Sequence, residues 1–209
     1  MSHLLYIESS PRKQRSASIE VARAFLESYR AAHPHDSIDT LDVWTTPLPE
    51  FDGDALAAKY AGLAGEALTA GQEQAWAQIR ALAARFQKAD KILLSVPMWN
   101  YGIPYKLKQL IDCVTQKDLL FKFDENGLAG LLPHVKAAVI YARGVAFGAD
   151  GADPALWDQQ RPYIEAWLRS MGITAVSTVL VEKTLFGPEM DTASRAAAKT
   201  AAASIATTF

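Results

Sequence analysis

Apolar positions along the chain fall into two alternating patterns. Residues 4–7, 92–96, 137–141 and 176–181 are short, nearly continuous apolar runs, partly β-branched, as expected for strands buried on both faces. Residues 37–43 form a weaker run of the same kind. Between the runs the period changes to that of a helix. Ile19, Ala22, Phe25, Leu26 and Tyr29 share one stripe, and Ile103, Leu107, Leu110, Ile111 and Val114 share another, with Pro104 at a suitable first helical position. Tyr163, Ile164, Trp167, Leu168 and Met171 make a third stripe, stopped by Gly172. A further helix is expected over residues 69–87, and the alanine-rich tail after Pro188 reads as the last. The order βαβαβαβαβα predicts an α/β fold: an open five-stranded parallel sheet with helices on both faces, in a single domain spanning 1–209.

Two segments fit this scheme poorly. Residues 44–71 are rich in Pro, Gly and Ala and read as a decorated loop. Residues 119–132 carry Phe121 and Phe123 ahead of the turn-forming Glu125, Asn126 and Gly127, and read as a hairpin or an excursion from the sheet.

Composition narrows the function. Half of the 209 residues are hydrophobic, and 21 Lys and Arg against 23 Asp and Glu give a formal charge of −2. A protein held to nucleic acid by many phosphate contacts needs a basic surplus that this chain lacks, so no nucleic-acid partner is expected. No stretch approaches the ~18 apolar residues of a membrane span. The single cysteine, Cys113, excludes an intrachain disulfide. The start, Met1-Ser2-His3, lacks the basic and apolar regions of a secretory signal, so a cytoplasmic protein is expected. Cys113 lies beside an apolar helical stripe with no His or second Cys near it and reads as packed and inert. The four histidines have no partners at metal-site spacing, and no metal is expected.

In an open parallel sheet, ligands bind beyond the carboxyl ends of the strands where strand order reverses. The first strand runs into Glu8-Ser9-Ser10-Pro11-Arg12-Lys13-Gln14-Arg15-Ser16-Ala17-Ser18 and then a helix. Its hydroxyls and the free amides at the helix start suit a phosphate, although Ser16 or Ser18 serving only as a cap explains them equally well. No GxxxxGK[ST] loop and no GxGxxG follows any strand, so neither a nucleoside-triphosphate site nor a standard dinucleotide fold is indicated. The third strand ends in Pro97-Met98-Trp99-Asn100-Tyr101-Gly102, where Met98 offers a polarizable sulfur to a planar ring and Asn100 a donor and an acceptor to its edge. The competing reading is that Trp99 and Tyr101 plug the core. Arg143-Gly144 closes the fourth strand, as a site of close backbone approach or as a plain turn.

Taken in order, the serines at 9, 10, 16 and 18, the segment 97–101, the Arg143-Gly144 turn, the stretch 122–131 and the late Phe186-Gly187-Pro188-Glu189-Met190 resemble the FMN-dependent NADH-azoreductase family over nearly the whole chain. That resemblance implies a flavodoxin-like fold, FMN as cofactor and NADH or NADPH as a transient electron donor. It also implies hydride transfer to quinones and azo compounds by a ping-pong mechanism, in a homodimer whose subunits share the rim of each site. It assigns FMN binding to Ser9, Ser16, Ala17, Ser18, Pro97, Met98, Trp99, Asn100, Tyr101, Arg143 and Gly144. No side chain is an obligatory acid, and Asn100 tunes the flavin. Phe121, Phe123 and Phe147 are candidates for a substrate wall by loop placement and aromatic character. Trp99 stands where Tyr is common in the family, and Arg143-Gly144 lacks a second glycine directly after the first. Both departures touch the rim, where substrates are chosen. An electron carrier of the same fold without its own substrate site is the alternative; carriers of that kind present a more acidic surface than −2 allows.

Overall fold

The structure, a computed structural model, describes residues 1–125, 127–148 and 151–209; Asn126 of the expected turn lies outside these. Five parallel strands form one sheet: β1 (His3–Glu8), β2 (Ser37–Asp42), β3 (Lys91–Pro97), β6 (Lys136–Ala142) and β7 (Ala175–Val181), in the order β2-β1-β3-β6-β7. A small antiparallel pair, β4 (Phe121–Asp124) and β5 (Gly127–Gly130), stands apart from it. Each expected strand is present, four of them extended by a residue or two and β2 ending one residue short of the expected 37–43, and residues 119–132 do form the hairpin.

The sheet explains the continuous apolar runs. In β1, Leu4 and Tyr6 face one cluster while Leu5 and Ile7 face the other, and all four are buried. On the first side α1 (Ala17–Ala32) and α7 (Pro188–Thr208) cover the sheet with Phe25, Leu26, Tyr29 and Phe209. Ala198, Ala202 and Ala206 recur every fourth residue along α7 and let it lie close against α1. On the second side lie α3 (Ala70–Gln87), α4 (Tyr105–Val114) and, after the short α5 (Pro154–Trp157), α6 (Arg161–Ser170), with Ile79, Phe86, Leu107, Leu110, Trp167 and Leu168 inward. Burial of each large side chain contributes about 1.5 to 3 kcal/mol.

The helix that the sequence does not announce is α2 (Gly53–Ala64), inside the segment read as a loop. Asp52 caps it by accepting from the amides of Asp54 and Ala55, and Gly65, at φ 74°, ends it in a left-handed turn. Among its described side chains only Ala55 and Ala58 are apolar and buried, so no broad stripe marks it. By contrast α3 starts as expected: Thr69 and Gln72 form a reciprocal capping pair.

Two features lie at the amino edge of the sheet. Lys91, nearly buried, donates to the Tyr29 hydroxyl at 2.8 Å and to Asp36 at 3.1 Å, and Tyr29 donates to the same carboxylate at 2.7 Å. The hairpin is rooted there too. Leu132 donates to the Met171 carbonyl at 2.8 Å, and a Cβ at Gly130 would stand 1.9 Å from the Met171 carbonyl carbon. Its backbone therefore rests directly on the end of α6.

Candidate active site at the carboxyl edge of the sheet

Strand order reverses between β1 and β3, so the loops following these two strands face one crevice. Ser9, Ser10, Ser16 and Ser18 are all buried in the first loop. Ser9 donates to the Ser95 carbonyl at 2.7 Å, which fixes the root of the loop to β3. Ser16 caps α1, its Oγ accepting from the Ile19 amide at 3.4 Å and lying 3.2 Å from the Ser18 hydroxyl. Capping and ligand binding are thus not exclusive here: the cap leaves the first amides of α1, those of Ala17 and Ser18, without intrahelical acceptors, at the positive end of the helix dipole.

Two carboxylates end the neighbouring strands, Glu8 on β1 and Asp42 on β2. Lys13 bonds both, Glu8 at 2.8 Å, and so offsets one of the two negative charges that would repel an anion at this loop. Burial opposes the Lys13 ammonium, but its bonds to Asp42 and Glu8 outweigh that and hold its pKa above the ordinary lysine value.

After β3 the chain makes a two-residue reversal. Trp99 and Gly102 exchange both backbone hydrogen bonds, at 3.0 and 2.9 Å, with Asn100 at φ 45° and Tyr101 at φ 71° between them. This is a type I′ turn, for which Asn is well suited at the first position and Tyr poorly suited at the second. Trp99 is half-buried and Tyr101 is 53% exposed, so neither plugs the core. Trp99 belongs instead to an aromatic group with Trp44 and Tyr105, whose ring centroids lie 5.8 and 6.4 Å from it. Sequence reasoning missed Trp44 and Tyr105. The signal for Trp44 is its place just past the carboxyl end of β2, the rule that located the other loops. A cleft of about 650 Å³ opens beside the turn, lined by Phe51, Gly102, Ile103, Tyr105 and Tyr163 among others. A second cleft, about 300 Å³ between α2, α3 and residues 116–119, contains none of the expected site residues.

The Arg143 guanidinium is enclosed by protein. It donates to Gln160 at 3.0 Å, Asp158 at 2.6 Å and Glu182 at 3.3 Å, and lies over the rings of Tyr141 and Phe147. Phe147 is thus backed by Arg143. At Gly144 a Cβ would meet Leu185 Cδ1 at 2.5 Å, so a larger residue there would have to turn the exposed Leu185 side chain aside. Phe121 and Phe123 sit on the hairpin, rooted at the amino edge of the sheet. Among the described residues no hydrogen bond or ring contact joins them to the 97–102 turn. Cys113 is buried, its thiol 3.4 Å from the Pro49 carbonyl and pushed up to about 11 by burial.

Comparison with known proteins agrees with this fold. A family model described as having a flavodoxin-like fold matches residues 2–205. An FMN-dependent NADH:quinone oxidoreductase from Burkholderia lata is 54% identical, with 100% of each chain covered. Among solved structures, an azoreductase from Bacillus anthracis str. Sterne superposes with a TM-score of 0.91 at 28% identity, covering 100% of both chains. An FMN-dependent NADH-azoreductase from Bacillus anthracis str. Ames Ancestor, solved in complex with FMN, gives a TM-score of 0.87 at 25% identity over 99% of this chain and 100% of its own.

Proposed function

Because this chain belongs to the family with the flavodoxin-like fold, we propose that it is an FMN-dependent NADH:quinone oxidoreductase that also reduces azo compounds. The observation that carries this reading is the juxtaposition, at the reversal between β1 and β3, of a buried serine loop with free helix amides and a strained aromatic turn. The donor set fits FMN: hydroxyls and amides for one phosphate, a sulfur, an amide side chain and flat rings for a tricyclic system, and no second dinucleotide loop.

In this site Ser16, Ser18 and the amides of Ala17 and Ser18 hold the phosphate, while Ser9 fixes the loop that presents them. Residues 97–101 line the ring, with the Asn100 amide placed to donate to its polar edge. Bound FMN supplies the centre that takes hydride from NADH or NADPH and gives it to the oxidant. Trp44, Trp99 and Tyr105 form an apolar wall that suits flat substrates and excludes water from that centre. The sequence carries no GxGxxG loop to hold a nicotinamide dinucleotide apart from the crevice, and this reading takes a ping-pong order in which donor and acceptor use one face in turn.

A homodimer accounts for the apolar surface around the site, including Leu185 (80% exposed) and Phe186. Phe123 and the hairpin then serve a second copy's site, since their own root lies at the far edge of the sheet. Among the described residues no helix is long and apolar enough to cross a membrane, and a single buried cysteine suits the cytoplasm.

The test is a visible spectrum of the purified protein, chromatography of the released cofactor, and steady-state kinetics with NADH, NADPH and a benzoquinone. FMN, quinone-dependent NADH oxidation and parallel double-reciprocal lines are expected; extracted FAD, or no turnover with any quinone or azo dye, rejects the reading. Light scattering at the 22.8 kDa monomer mass rejects the dimer.

A further inference from the structure

We propose that Arg143, Asp158 and Gln160 form a buried brace that holds the 97–102 turn in its strained conformation, with Arg143 acting on the cofactor site through Gln160 and not by touching a ligand. This rests on the FMN reading above.

The Arg143 side chain is 3% exposed, and its three partners come from two places in the chain: Asp158 and Gln160 just before α6, and Glu182 just after β7. A guanidinium that swung out to meet an anion would leave Asp158, itself 6% exposed, as an unpaired buried carboxylate, which is heavily penalised. Arg143 is therefore held inside. Asp158 does more than neutralise it. Its second oxygen accepts from the amides of Gln160 and Arg161, at 3.1 and 3.0 Å, and so sets the start of α6 and the direction of the Gln160 side chain.

Gln160, fully buried, passes this order on. Its Oε1 accepts from Arg143 and its Nε2 donates to the Val96 carbonyl at 2.9 Å. The two ends of the amide have opposite requirements, an acceptor towards arginine and a donor towards a carbonyl, so only one orientation satisfies both. Val96 is the residue directly before the turn. The adjacent Gln159 amide donates to the Tyr101 carbonyl at 2.9 Å, inside the turn, and the Tyr101 ring lies 4.9 Å from that of Trp157. Residues 157–160 thus grip the turn at its entry and at its most strained residue. A tyrosine at φ 71° persists only where its surroundings over-determine it, and these contacts do so.

Gln160→Glu separates the two arms. The carboxylate still accepts from Arg143 but has no donor for the Val96 carbonyl. Amide exchange at Trp99 and Gly102 should then quicken about tenfold at pH 8 while the β1 amides keep parent rates. The FMN dissociation constant should rise about tenfold, the equivalent of roughly one hydrogen bond, with an altered visible circular dichroism of the bound flavin. Arg143→Lys should reproduce these changes, and the double variant should add little to either. If instead Arg143→Lys weakens FMN while Gln160→Glu matches the parent in exchange and affinity, Arg143 works at the ligand and the brace is rejected. Parent-like behaviour of both variants rejects it equally. Should Gln160→Glu fail to fold, Trp157→Ala decides, since it removes only the exposed ring behind Tyr101; quickened exchange at Gly102 is expected, and an unchanged rate overturns the brace. A parent protein that holds no FMN overturns the functional reading, and the exchange rates at Trp99 and Gly102 still decide the brace.

Discussion

The indole Nε1 of Trp44 donates to the Ser9 carbonyl at 3.0 Å, tying the loop after β2 to the loop after β1. The same ring lies 5.8 Å from Trp99, so one side chain touches both halves of the crevice. Trp44→Phe keeps the ring and loses the donor, and FMN affinity should fall by about 0.5 to 1.5 kcal/mol. Flavin fluorescence titration measures this; unchanged affinity would remove Trp44 from the site.

Asn100 should raise the two-electron potential of the flavin, because a donor at the ring edge favours the more negative, reduced form. Its φ of 45° supplies a clean control. Asn100→Gly removes the amide without straining the turn, and should lower the potential by about 30 mV, the equivalent of roughly 1.4 kcal/mol. Asn100→Ala should show the same shift together with a stability loss of about 1 to 2 kcal/mol from the left-handed backbone. A spectroelectrochemical potential equal to the parent's in both variants would end the electronic role.

The serines divide their work. Ser16→Ala should cost the FMN-free protein about 1 kcal/mol of stability through the lost cap. Ser18→Ala should leave that stability nearly unchanged and weaken FMN by about 1.5 to 3 kcal/mol, with the double variant at about 2 to 4 kcal/mol. Calorimetric titration with FMN separates the two; equal losses of stability and no loss of affinity would return both residues to capping.

Acid should unfold the protein partly through Asp36. The Ser2 amide and the Tyr29 hydroxyl, helped by Lys91, hold its carboxyl well below the usual carboxylate range. A depressed folded-state pKa contributes stability that is fully present above the unfolded value, about 3.9, and is lost as pH falls from there towards the folded value. Asp36→Asn should therefore be less stable at pH 7 by about 3 kcal/mol, since it strands the nearly buried Lys91, and should lose less on going from pH 5 to pH 3 than the parent does. Urea titrations at those pH values test it, and parallel pH profiles would assign the acid sensitivity elsewhere.

The sheet was legible because strands covered on both faces leave no polar positions, as Leu4, Leu5, Tyr6 and Ile7 illustrate. Helix α2 was hidden because it buries small alanines and so has no stripe to read. The loops carrying the serines and residues 97–101 were found from their place after strands, a rule that extends to Trp44. The occupation of the Arg143 guanidinium was beyond reach: its partners lie up to 39 residues away in the chain, and no local pattern encodes their approach. The same holds for the root of the hairpin, which depends on backbone meeting backbone at Gly130.

That root separates two kinds of inheritance. Because β5 rests on α6 through main chain at Gly130, no side chain in the contact can be exchanged to shift it, and any larger residue there would lever the hairpin away as a unit. The tip is under no such restraint: Phe123 is 61% exposed and Leu128 nearly as much. Descendants of this protein, natural or selected in the laboratory, can therefore redraw the surface that the hairpin presents by changing residues at the tip, without moving the framework that aims it.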